Sequence, residues 1–213
     1  TTTNLVYANL TSNTHYRAVI KSGNCDEALS TVAFIAVDKA TDAGFISGTQ
    51  TVCGGVNTGV LQVNANNGTI LQWEFSTNGG TNWTTTAVNA NTYTFTNLTQ
   101  DTDFRVQIVN GVCPSVYTNS FHVTVKPIPA VSYTFTQGCQ GKSVSFTNTT
   151  TGANLYNWDF NDGNGSSVFS PTHIYLTSGV FQVKLTATST NGCSDSLKKN
   201  ITIYAQPSVN FSV

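Results

Sequence analysis

The sequence predicts an all-β chain of β-sandwiches in tandem, and three observations carry that prediction. Apolar and polar residues alternate with a period of two along most of the 213 residues, as strands buried on one face require. Clusters of Asn, Gly and Thr interrupt the alternation at intervals suited to tight turns. Good helix formers are scarce, with Met absent and charged residues at only 9%, so nothing competes with the β preference of the abundant Thr and Val.

Each element follows from the pattern. In the middle of the chain Leu71, Trp73 and Phe75 share one parity against Gln72 and Glu74. Phe104, Val106 and Ile108 alternate with Arg105 and Gln107, and Phe121, Val123 and Val125 with His122 and Thr124. Asn66-Asn67-Gly68 and Asn78-Gly79-Gly80 supply turns between them, since Asn and Gly accept positive φ. Further on, Val144 and Phe146, then Tyr156, Trp158 and Phe160, then Phe181, Val183, Leu185 and Ala187, and finally Ile201 and Ile203 repeat the logic. Short strands at this spacing predict sandwiches. Alternation stops at Asp38 to Asp42, at Lys126-Pro127-Ile128-Pro129 and at Gln206-Pro207. The prolines remove backbone donors and stiffen these short linkers, so the sandwiches are expected to stand end to end as a semi-rigid rod.

The chain repeats itself. LTSNTHYRAVIKSGNC, Leu10 to Cys25, aligns without a gap to LTQDTDFRVQIVNGVC, Leu98 to Cys113, at an offset of 88 residues. Residues 1–38 therefore read as the C-terminal half of a unit, 39–127 as a complete sandwich, 128–206 as a second sandwich, and 207–213 as the opening of another. The five cysteines, Cys25, Cys53, Cys113, Cys139 and Cys193, fit no metal-ligand spacing, and their Gly-, Asn- or Thr-rich surroundings favour disulfides formed in an oxidising compartment. If Cys53 pairs with Cys113, then Cys139 and Cys193 remain as the pair of the following unit. The partner of Cys25 would precede Thr1, leaving Cys25 unpaired by truncation; a free thiol or an intermolecular bridge is the alternative.

Composition excludes several classes of partner. Nine Lys and Arg residues cannot line a phosphate-tracking surface, so nucleic acid is not an expected ligand. No apolar run reaches the length of a bilayer span, and no signal-like segment opens the chain.

The segment Tyr156-Asn157-Trp158-Asp159-Phe160-Asn161-Asp162-Gly163, with Ser170-Pro171-Thr172-His173-Ile174-Tyr175 and Gly179 to Leu185 downstream, resembles the PKD domain. Asn161 stands where that family usually has Gly. The preceding unit, with Cys53-Gly54-Gly55, Trp73, Asn78-Gly79-Gly80, Trp83 and the Leu98 to Cys113 stretch, resembles the immunoglobulin-like repeats of very large surface proteins of the Bacteroidota. Leu98 to Ile108 is also similar to the tyrosine-corner strand of fibronectin-like sandwiches, with Phe104 in place of the tyrosine that Tyr16 keeps. Together these resemblances imply immunoglobulin-like or fibronectin-like sandwiches followed by a PKD sandwich, in a cell-surface or gliding-motility adhesin exported by the type 9 secretion system. The alternatives are a spacer or carbohydrate-binding accessory region of a secreted polysaccharide-degrading enzyme, or a surface-filament subunit.

Catalysis is not expected. His15, His122 and His173 fall in different units, and the two glutamates, Glu27 and Glu74, also lie apart. No cofactor is expected, although Asp159 and Asp162 are weak calcium candidates because hard oxygen ligands share a loop there. Trp73 and Trp158 read as core anchors. Trp83, if exposed, would stack on a sugar ring of a surface polysaccharide or glycan. Asp195-Ser196-Leu197 is similar to the short O-glycosylation motif of Bacteroidota, making Ser196 a candidate site. The remaining expected partners are neighbouring repeats of the same long chain.

Overall fold

A computed structural model describes residues 4–209, and all of its regular elements are strands. The strands from Phe45 to Lys126 form two sheets face to face. One sheet places Thr58–Asn64 between Phe45–Gly48 and Thr92–Thr96. The other runs Thr51–Cys53, Phe121–Lys126, Thr102–Val109, Thr69–Ser76 and Thr84–Thr85, with Val116–Tyr117 also paired to Thr102–Val109. Leu61 and Val63 of the first sheet pack against Trp73, Phe104, Val106, Ile108 and Val123 of the second. Gly59 belongs to this core because the Phe95 ring occupies the space a Cβ would need, 2.3 Å from its ideal position.

The expected parity of Leu71 is overturned. Gln107 is opposite Gln72, but the next residue, Ile108, is opposite Ile70. Leu71 is thus an extra residue in a bulge, half-exposed, while Ile70 turns inward together with Trp73. A bulge shifts side-chain phase by one residue, so the alternation cannot be carried through it.

The strands from Tyr133 to Tyr204 have the same plan. Tyr133–Phe135, Ser143–Asn148 and Thr172–Ile174 form one sheet. Gly138–Cys139, Ser194–Tyr204, Gly179–Thr188, Leu155–Asp159 and Gly165–Ser166 form the other. Tyr133, Val144, Phe146, Trp158, Phe160, Val183, Leu185, Ile201 and Ile203 fill its core. In each complete sandwich a short strand near the start pairs in parallel with the last strand, which lies in the same sheet: Thr51–Cys53 with Phe121–Lys126 and Gly138–Cys139 with Ser194–Tyr204.

Residues 4–38 reproduce part of that plan. Thr14 is opposite Ile35 and Tyr16 opposite Ala33, as Thr102 is opposite Val123 and Phe104 opposite Phe121. Val19 with Leu29 and Ile20 with Ala28 likewise match Gln107 with Tyr117 and Ile108 with Val116. The 88-residue sequence offset is therefore an offset in strand register as well. The apolar face remains uncovered: Ile20 is 63% exposed, whereas its counterpart Ile108 is fully buried.

The cysteine pairing differs from both expected pairs. Cys53 is bonded to Cys193, joining the two complete sandwiches, while Cys25, Cys113 and Cys139 are free. The reason lies in the placement of the two cysteines of each unit. Cys53 sits beside Lys126, where its sandwich leads into the next. The Cys113 sulfur lies 3.3 Å from the Lys39 carbonyl, where the same sandwich begins. Two cysteines at opposite ends of one sandwich cannot meet.

Candidate functional site at the junction of two sandwiches

Two of the sandwiches are joined at the junction formed by 127–129. Lys126 closes the last strand of one sandwich, and Ala130 already bridges Thr151 in the next through paired backbone bonds of 3.0 and 3.2 Å. The connecting segment is Pro127-Ile128-Pro129, whose prolines fix φ and donate no backbone bond. Beside it runs the second connection. Thr51–Cys53 lies parallel to the last strand, and the Gly54 amide donates to the Lys126 carbonyl at 2.7 Å. From that point the Cys53 sulfur bonds Cys193, which ends the turn between Gly179–Thr188 and Ser194–Tyr204 and is fully buried. The turn is held by Gly192 donating to the Ser189 carbonyl and Ser189 donating to the Cys193 carbonyl. A single tether permits swivelling; two laterally separated tethers restrict it.

A second constellation lies on the outer face of the 39–127 sandwich. Glu74 points outward in strand parity yet is 4% exposed, because other side chains cover it. Arg105 reaches its Oε2 at 2.7 Å through both Nε and a terminal nitrogen. Gln72 and the Tyr117 hydroxyl donate to Oε1. The guanidinium carbon lies 4.1 Å from the Trp83 ring centre and 4.0 Å from that of Tyr117. Burial, followed by the neighbouring Glu74 carboxylate, pushes the Tyr117 hydroxyl above its ordinary value. Trp83 is half-buried, one face lies against Arg105, and its indole edge closes over Gly80. The ring expected to meet a sugar thus already stacks on a guanidinium.

The PKD-like turn places Asp159 and Asp162 at the sandwich end. Asp159 Oδ1 accepts from the Asn161 amide and Asp162 Oδ1 from the Asn164 amide. Asp162 Oδ2 is 2.7 Å from His173 Nε2, whose ring stacks on Phe160 with centres 4.1 Å apart. Burial alone would raise the Asp162 carboxyl, but the hydrogen bonds from His173 and Asn164 outweigh it and hold it below its ordinary value. Asn161 has φ 61°, so the departure from Gly is accommodated by the residue that best tolerates this region after Gly. These carboxylates organise the turn and its histidine, and no cluster of three or more His, Cys, Asp or Glu side chains suited to a metal ion occurs among the described residues.

The other histidines do not converge on a nucleophile. His122 is exposed and pairs with Asp103 at 2.8 Å and Asp101 at 3.6 Å, while His15 packs on Phe34. Ser196 is exposed on Ser194–Tyr204, opposite Thr186. No helix long and apolar enough to cross a membrane occurs among the described residues. Sequence reasoning missed the role of Arg105 and Tyr117; the signal available was their outward parity beside Glu74 on neighbouring strands.

Two family models match successive parts of the chain. Residues 1–39 and 42–127 match a domain of unknown function, DUF8696, and residues 124–204 match the PKD domain. Among curated proteins none matches the chain. The PKD1 domain of the Vibrio cholerae metalloprotease PrtV is 31% identical, over 36% of this chain and 98% of that domain, with a TM-score of 0.33. A structure of carbohydrate-binding modules from the β-sandwich superfamily is 26% identical, over 37% of this chain and 35% of that one, with a TM-score of 0.35. The chain therefore spans about a third of that protein's length. A Ca2+-stabilised adhesin with which an Antarctic bacterium binds ice is 13% identical, over 92% of this chain and 57% of that one, with a TM-score of 0.38. With more than half of its length matched by the first of these families, the chain belongs to the DUF8696 family, and a PKD domain follows its DUF8696 units.

Proposed function

We propose that this chain is a non-catalytic segment of an extracellular repeat protein, a clamped stalk that holds an adhesive part of a bacterial surface adhesin away from the cell. PKD and immunoglobulin-like sandwiches fit an extracellular adhesion or accessory region. The observation that carries the stalk reading is the junction, where a three-residue Pro-Ile-Pro linker and the Cys53–Cys193 bond connect the same two sandwiches. Load along the chain would pass through hydrogen-bonded strand ladders and a covalent clamp, and both resist shear. The sequence resemblance to Bacteroidota repeat proteins supports assignment to an adhesin exported by the type 9 system, with gliding motility as its setting and neighbouring repeats as partners.

The test is small-angle scattering of the oxidised and reduced chain together with binding to a panel of polysaccharides and surface glycans. The stalk reading expects one extended shape when oxidised, a broader distribution after reduction, and no saturable glycan binding. Saturable binding lost on Trp83→Ala would replace it with a carbohydrate-binding region, and an oxidised chain that samples a broad distribution of shapes would remove the stalk.

A further inference from the structure

We propose that the Cys53–Cys193 bond is one rung of a regular series. In this series the cysteine beside the end of one unit's last strand bonds the turn cysteine of the following unit. Cys139 is the open half of the next rung, whose partner is the turn cysteine of a following sandwich in the same polypeptide. The proposal goes beyond the stalk reading, because it assigns a pairing rule rather than a role.

Cys139 occupies the same place in its sandwich as Cys53 does in the preceding one. Cys53 is opposite Lys126 and Cys139 opposite Tyr204, both in parallel pairs with the last strand. In each case the next residue locks the register: Gly54 donates to the Lys126 carbonyl at 2.7 Å, Gln140 to the Tyr204 carbonyl at 2.9 Å. The sequence after the strand repeats too. Pro129, Val131, Tyr133 and Phe135 recur as Pro207, Val209, Phe211 and Val213, at an offset of 78 residues, which is also the offset from Lys126 to Tyr204. Residues that lead from the bonded cysteine's sandwich into the next thus recur after the unbonded one. Cys139 is exposed and carries a free thiol.

The other half of the rule is visible at the first junction. Cys25, Cys113 and Cys193 each end a turn between late strands of their unit, the first two with their amides donating to Ser22 and Asn110. At the 88-residue offset Asp38 is the counterpart of Lys126, the residue beside which Cys53 sits. The turn holding Cys113 is docked on that position. Val112 donates to Asp38 Oδ2 at 3.0 Å, and the Cys113 sulfur lies 4.0 Å from the Asp38 carbonyl and 3.3 Å from that of Lys39. Thr41 fixes the turn from the same side, donating to Pro114 and accepting from the Asn110 amide. Cys113 therefore stands where a strand cysteine paired beside Asp38 would be within reach, as Cys53 is for Cys193.

Each rung forms by two exchanges. A cysteine thiolate attacks a small-molecule or protein disulfide and releases one thiol. The second cysteine thiolate then attacks the mixed disulfide and releases the other. Two protein thiols are oxidised to one bond, and one oxidant disulfide is reduced to two thiols.

Two extended chains test the rule, each keeping all of residues 1–206. In the first, a second copy of residues 129–206 follows Gln206. In the second, residues 39–126 are repeated in tandem after Lys126. Each is folded in a buffer of oxidised and reduced glutathione, its thiols are counted under denaturing conditions, and its bonds are mapped by mass spectrometry. Each chain gains two cysteines and is expected to gain one bond, so the number of free thiols stays at three, as in the original chain. The new bond is expected from Cys139 to the added copy's Cys193 in the first chain. In the second it is expected from the first Cys53 to the second copy's Cys113. Cys139→Ser in the first chain should release exactly one thiol more, that of the added turn. Two additional thiols in chains whose added units show native chemical-shift dispersion would overturn the rule. So would a bond between Cys139 and Cys193 of one copy.

Discussion

Cys53 and Cys193 belong to different sandwiches, 140 residues apart in sequence, yet their Cα atoms are 5.6 Å apart and their sulfurs are bonded. Closing a loop of that length would restrict an unfolded chain by about 5 kcal/mol. Both sandwiches have cores of their own, so in the folded protein the bond mainly removes hinge freedom about Pro127-Ile128-Pro129. Replacing both cysteines, as in C53S/C193S, should leave each sandwich folded and let the two reorient separately. Backbone 15N relaxation checks this: one rotational correlation time shared by both units is expected in the native chain, and two different times in the variant. A single shared time in the variant would assign the rigidity to the proline linker alone.

Arg105 carries a different load. Its partner Glu74 has a side chain only 6% exposed, and a buried carboxylate that loses its counter-ion is left to bear its own desolvation. Arg105→Ala also removes the group that Trp83 and Tyr117 stack on. The expected loss in unfolding free energy is about 3 kcal/mol, near the low end for breaking a buried pair because Arg105 itself is 26% exposed. Arg105→Lys keeps the charge but not the two-point contact or the flat face, so it should recover only part of that loss. Chemical denaturation of the three proteins measures the ordering; an Arg105→Ala loss within experimental error of zero would contradict it.

The sandwiches were legible because burial of one sheet face imposes a period of two, and most strands keep it without interruption from end to end. Phe104, Val106 and Ile108 are inward as expected, and so are Val183, Leu185 and Ala187. Even the repeat carried geometry, since residues 88 apart share strand partners. What sequence could not show is where a pattern meets something outside its own strand. The bulge at Leu71 shows only in the pairing with the partner strand, and the covering of Glu74 depends on Arg105 and Tyr117 from two other strands. The disulfide depends on which end of a sandwich each cysteine occupies, a property of topology that spacing does not encode. Trp83 had no parity to read, and its stacking on Arg105 fixes its place instead.

The bulge gives a sharp contrast between neighbours. Ile70 is 5% exposed and part of the core, whereas Leu71 is 45% exposed. Ile70→Ala should cost about 2 to 4 kcal/mol, from lost burial and the cavity left behind. Leu71→Ala should stay within about 0.5 kcal/mol, as surface changes usually do. Urea unfolding of the two variants decides it, and the reverse order would mean that the uninterrupted alternation, not the bulge, describes this strand.

Two groups shifted in opposite directions, His122 upward and Asp162 downward, provide the last prediction. His122 is raised above its ordinary 6.5, first by its hydrogen bond to Asp103; burial, the next largest effect, opposes the rise, and the charges of Asp103 and Asp101 with the hydrogen bond to Asp101 add to it. The folded state therefore binds that proton more tightly than the unfolded state. The resulting stabilisation is full below pH 6.5 and is lost as pH rises through the higher folded value. Asp162 behaves in the opposite sense. Its folded value lies below 3.8, so its contribution is present above that pH and disappears as the solution is acidified through the folded value. Urea midpoints followed across pH should accordingly decline slightly as pH rises past 6.5 and more steeply in acid. His122→Gln should flatten only the first slope and Asp162→Asn only the second. The exposure of His122 keeps its effect small, because solvent screens the pair, so the measurement needs low ionic strength, and added salt should suppress the neutral slope first. A neutral slope that survives His122→Gln would place the responsible proton elsewhere.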